Sequence, residues 1–114
     1  MALARDLEIY KAADQLFQFA LKLQVQLPRA HRVSVGLPLS TACGSILIGV
    51  SRANVSRGVA REGHINQVIE HLETAMSFFR ACHQMPIISH KVWADSIVLT
   101  DSVGKQAHGW LNGL

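Results

Sequence analysis

The chain has 114 residues, enough for one domain with one core and too few for two. Hydrophobic residues make up 49% and charged residues 17%, which excludes a disordered tail, and eleven Lys+Arg against eight Asp+Glu leave a mild formal charge of +3. Two cysteines, Cys43 and Cys82, make no disulfide framework, and neither CxxC nor Cys/His zinc spacing occurs. The first residues are charged early and lack an apolar h-region, so a secretory signal is not expected.

The first helix is expected from about Leu3 to Leu27. Leu3, Leu7, Tyr10, Ala13, Phe17 and Ala20 recur at the helical period, and Ile9, Leu16, Phe19 and Leu23 widen the stripe. Pro28 ends it by pushing Leu27 out of the α region. Arg29, Ala30, His31 and Arg32 then read as a linker.

The second helix is expected to start near Ser34 to Pro38, with the proline in its first turn. Leu39, Cys43, Ile46, Val50 and Ala53 form its stripe, beside Ala42 and Leu47. Gly44 and Gly49 each cost about 1 kcal/mol of helix propensity, which close approach of another helix would explain. The pattern fades at Asn54, and Gly58 reads as the stop. Val33 to Ser51 holds no charge over 19 residues, but Pro38, three glycines and five Ser/Thr keep its hydropathy modest. The reading is a helix buried by protein, partly by a neighbouring subunit, and not a membrane span.

The third helix is expected from Val59 or Gly63 to Gln84, with Ile65, Val68, Ile69, Leu72, Ala75, Met76, Phe79 and Cys82 keeping the helical period. Pro86 closes the connection. Ser89 reads as the N-cap of a fourth helix carrying Val92, Trp93, Ile97, Val103, Ala107, Trp110, Leu111 and Leu114. Four such helices joined by short loops predict a single all-α domain over residues 1–114, an up-down-up-down antiparallel four-helix bundle.

Catalytic signals are poor. A di-iron bundle needs Glu-x-x-His motifs on two helices, and neither His64 nor His71 stands in one. His31, His83, His90 and His108 fall near helix ends or on polar faces, so no metal is expected. Cys43 and Cys82 fall on apolar stripes, and no GxSxG, P-loop or GxGxxG occurs. Neither an enzyme nor a cofactor is expected.

Charge placement says more. Residues 1–57 hold seven Lys/Arg and three acids, whereas residues 58–114 hold four and five. No acid lies between Asp14 and Glu62, an interval containing Lys22, Arg29, Arg32, Arg52, Arg57 and Arg61. An antiparallel hairpin gathers Arg29 and Arg32 at one end and Arg52, Arg57 and Arg61 at the other. Arginine's planar fork suits phosphate, so these five are the candidate nucleic-acid contacts.

The arrangement resembles the accessory variability determinant proteins of diversity-generating retroelements, a family related to the four-helix-bundle proteins encoded in 23S rRNA intervening sequences. Leu27-Pro28-Arg29-Ala30-His31-Arg32 followed by Leu37 is similar to that family's first loop, and Ala53-Asn54 to the end of its second helix. Ile69, Leu72, Glu73, Phe79 and Arg80 sit like the middle of its third. Ile88-Ser89, Val103-Gly104-Lys105 and Gly109-Trp110-Leu111 resemble its fourth, with the Gly-Trp-Leu ending. The resemblance implies a basic cyclic homo-oligomer, a pentamer, that acts in the cytoplasm without catalysis. It implies a reverse transcriptase and RNA or other nucleic acid as partners, in support of mutagenic cDNA synthesis. The alternative is an intervening-sequence-type interaction protein with no reverse-transcriptase partner.

Overall fold

The computed structural model describes residues 3–114, and the described chain is all helical. A short 3₁₀ turn, Ala4–Asp6, precedes α1 (Glu8–Gln26). Then follow α2 (Arg29–Val55), α3 (Gly58–Gln84) and α4 (His90–Asn112). Each helix packs against its neighbour in sequence, and α4 returns to α1. The result is a four-membered antiparallel bundle measuring 42 × 21 × 20 Å, its length set by α2 and α3.

The elements follow from local chemistry. Leu27, held extended by Pro28 (ψ 148°), ends α1. Ser89 caps α4, its Oγ accepting from the Val92 N–H at 3.1 Å. The core is one cluster drawn from all four helices. It includes Ala13, Leu16 and Ala20 of α1, Leu39, Cys43, Ile46 and Val50 of α2, Val68, Ala75, Phe79 and Cys82 of α3, and Val103 and Ala107 of α4. Phe79, the largest fully buried side chain, meets Phe19 with ring centroids 5.9 Å apart. The two α2 glycines are where helices close in. A Cβ at Gly49 would stand 2.7 Å from Val68 Cγ2 of α3, and one at Gly44 would stand 3.2 Å from the Phe17 ring of α1.

Four expectations are corrected. Arg29 to Arg32 is not a linker, because α2 begins at Arg29 and passes through one π turn, Arg32–Gly36, before Leu37. In that turn the Leu37 N–H reaches back five residues to the Arg32 carbonyl. Pro38 explains the widening: it has no N–H to offer Ser34, and its ring would crowd that carbonyl in a regular helix. Gly58 does not stop the second helix; at φ +58° it turns the chain and opens α3, while α2 ends at Val55. Helix 1 does not start at Leu3, which is exposed, and its buried stripe is Ile9, Ala13, Leu16, Ala20 and Leu23, with Tyr10 and Phe17 half-buried. On α4, Ile97 faces outward while Ser96 and Thr100 are buried.

Burial of those two hydroxyls is satisfied locally: Ser96 Oγ donates to Trp93 O at 2.6 Å and Thr100 Oγ1 to Ser96 O at 2.8 Å. Among the described residues α2 alone is long and apolar enough to cross a membrane, by length and composition. In the bundle its Leu39, Cys43, Ile46, Val50 and Ala53 stripe lies in the core.

Candidate nucleic-acid interface

The five arginines separate into two kinds. Arg32 and Arg61 close helix ends. The last carbonyls of a helix lack partners within it. Arg32 Nε supplies one, donating to Leu27 O at 3.0 Å just past α1. Arg61 supplies two at the C-terminus of α2, Nε to Ala53 O at 2.9 Å and Nη2 to Asn54 O at 3.1 Å. Ser56 completes that end, its Oγ donating to Arg52 O at 2.7 Å. The Arg61 guanidinium also lies 5.6 Å from the centroid of the Trp110 ring, a cation–π contact joining the start of α3 to the end of α4. Trp110, the residue placed at the end of the inward α4 stripe, is half-buried there and packs on the core edge.

Arg29, Arg52 and Arg57 are exposed, and among the described residues their side chains make no hydrogen bond or ion pair. Arg29 begins α2 and Arg57 precedes α3, each at the positive end of a helix dipole. A cation there opposes the dipole, so these placements strengthen the local positive field. Neither helix has an acid in its first turn to offset it. Arg29 and Arg32 therefore lie at one end of the bundle and Arg52, Arg57 and Arg61 at the other, as the hairpin required.

Other reactive groups are withdrawn. Burial pushes the Cys43 thiol up to about 12 and also raises Cys82, which keeps both protonated at neutral pH. Among the described residues no three His, Cys, Asp or Glu side chains are grouped to hold a metal ion. His83 stacks on Trp93, rings 5.1 Å apart and nearly parallel, with His90 tilted against it at 5.5 Å, so these histidines pack the turn between α3 and α4.

Sequence reading missed Arg61's role as a cap, for which a separation of seven or eight residues across a turn gives no signal. It also missed a cleft between α2 and α3 lined by Ser45, Ile48, Gly49, Arg52, Gln67 and His71. Those residues do recur at helical spacing on adjoining helices. No family model, no curated protein and no solved structure matches this chain.

Proposed function

We propose that the chain is a non-catalytic accessory protein of a diversity-generating retroelement. It binds the element's reverse transcriptase and its template RNA in the cytoplasm, and supports mutagenic cDNA synthesis as a cyclic homopentamer. The observation that carries this reading is the pair of arginine groups at the two ends of α2, unopposed by any acid from Asp14 to Glu62. Repeated around an axis, a modest charge per chain becomes a continuous basic ring that holds phosphates without reading sequence. The outer face of α1 and α2, with Leu21, Leu37 and Ile48 exposed, supplies the apolar surface for subunit contact. The resemblance in the Leu27–Arg32, Ala53-Asn54 and Gly109–Leu111 segments supplies the polymerase partner.

The test is co-expression of the tagged chain with the reverse transcriptase encoded beside it. The expected result is co-purification of the enzyme together with RNA. A locus with no reverse-transcriptase gene, or an enzyme that does not co-purify, overturns the retroelement reading.

A further inference from the structure

We infer that the cleft between α2 and α3 is a phosphate-binding site formed by Arg52, Gln67 and His71, with Ser45 and Ile48 on its border with the α1–α2 groove. The cleft holds about 140 Å³, against roughly 30 Å³ for one water, so a phosphate group with some of its hydration fits. Its floor is Gly49, where the absence of a side chain lets Val68 bring α3 close. Ser45 and Arg52 are seven apart on α2, and Gln67 and His71 four apart on α3, so each pair occupies one helix face.

What distinguishes this cleft is uncommitted donors. Ser34, Ser51 and Ser56 each bond a backbone carbonyl four residues earlier, and Ser40 bonds Leu37 O and Gln24. Ser45, between them, makes no such bond among the described residues, and nor do the side chains of Arg52, Gln67 and His71. A hydroxyl, a guanidinium, an amide and an imidazole thus line one cleft, each able to donate. No carboxylate lines it. The α3–α4 clefts and the one beside Trp110 do carry acids, Asp101 and Glu8 among them, and the acid-free α1–α2 groove has no cation. A tetrahedral oxyanion accepts from several donors at once and is attracted to Arg52, a match that neutral ligands lack.

The inference deepens the nucleic-acid reading, on which it rests only for the carrier of the phosphate, a backbone phosphodiester. The experiment has two arms. In the first, the melting temperature is measured in inorganic phosphate and in chloride of equal ionic strength. In the second, affinity for a fluorescent single-stranded RNA is measured by anisotropy. Both use the wild type, Arg52→Gln, His71→Gln and, as a control outside the cleft and the candidate interface, Arg80→Gln. Because Arg52 is exposed and His71 half-buried, the variants should match the wild type in chloride.

Phosphate is expected to raise the wild-type melting temperature, and that rise should vanish in Arg52→Gln and His71→Gln but persist in Arg80→Gln. RNA affinity should fall about threefold to tenfold in the two cleft variants. If phosphate stabilises the wild type alone but RNA does not bind, the site stands and the nucleic-acid reading falls. If RNA binds the wild type and His71→Gln equally, with the phosphate effect unchanged, the site is overturned while the reading survives. Absence of any phosphate effect on the wild type also overturns it.

Discussion

The two outer faces of the bundle are built from the same kind of helix and differ in their rims. The groove between α1 and α2 is lined by Phe17, Leu21, Ser40, Thr41, Gly44, Ser45 and Ile48, without one charge. The grooves between α3 and α4 also have an apolar floor, including Met76, Phe79 and Ile97, but Glu73, Arg80, Asp101 and Lys105 stand around it. Asp101 pairs with Lys105 at 2.9 Å, one helical turn away, and Asp95 pairs with Lys91 at 3.1 Å. A face that neutralises its own charges by i,i+4 pairs suits water. An uncharged groove flanked by exposed Leu37, Ile48 and Val55 suits protein. The difference assigns α1 and α2 to the proposed subunit contact and leaves α3 and α4 facing outward.

The largest effect expected from this contrast is on mass. Ile48→Glu combined with Leu21→Glu places two charges in the uncharged groove and should convert the proposed oligomer to the 12.5 kDa monomer in light scattering. Ile97→Glu, at similar exposure on the other face, should leave the mass unchanged. Equal behaviour of the two variants, or a wild type that is already monomeric, breaks the assignment of faces.

Next in size is the core. Phe79→Ala should cost about 3–5 kcal/mol in chemical denaturation, because Phe79 is fully buried and its loss leaves a cavity in the core. Phe17→Ala, half-buried over Gly44, should cost less in the dilute chain and show itself mainly as weaker assembly, with a melting temperature that depends on concentration.

Arg61→Gln comes third. It removes the donors to Ala53 O and Asn54 O and the contact with Trp110, for a loss of about 1–2 kcal/mol. Arg61→Lys should recover only part, since an ammonium lacks the planar fork that bonds both carbonyls while lying against the Trp110 ring. The smallest effect is Lys105→Ala. Its exposed pair with Asp101 should contribute under about 0.5 kcal/mol, and high salt should abolish even that.

Much of this fold is legible in the chain because its signals are local and periodic. Leu39, Cys43, Ile46, Val50 and Ala53 announce the buried face of α2, and Ser89 announces the start of α4; both lie where expected. The start of α2 was obscured by Pro38, which looks like a first-turn proline but sits after a π turn that accommodates it. Gly58 misleads for a related reason, since a left-handed glycine suits the end of one helix and the beginning of the next. Ser96 and Thr100 hide on α4 because their hydroxyls bond their own helix and can then be buried like small apolar groups. The candidate interface is legible only as charge. That Arg32 and Arg61 are caps, while Arg29, Arg52 and Arg57 remain uncommitted, depends on which carbonyls the fold brings to them.

Uncommitted arginines and self-neutralised cations make opposite predictions for RNA, and one measurement separates them. Two triple variants remove the same number of charges: Arg29, Arg52 and Arg57 to glutamine, or Lys11, Lys91 and Lys105 to glutamine. Affinity for single-stranded RNA is read by anisotropy across a salt series. The first variant should lose about tenfold or more in affinity and flatten the salt dependence. The second should stay within about twofold of the wild type, because Lys11, Lys91 and Lys105 already face Glu8, Asp95 and Asp101. Equal losses in both would mean that net charge alone holds RNA, and would contradict an interface built on the ends of α2.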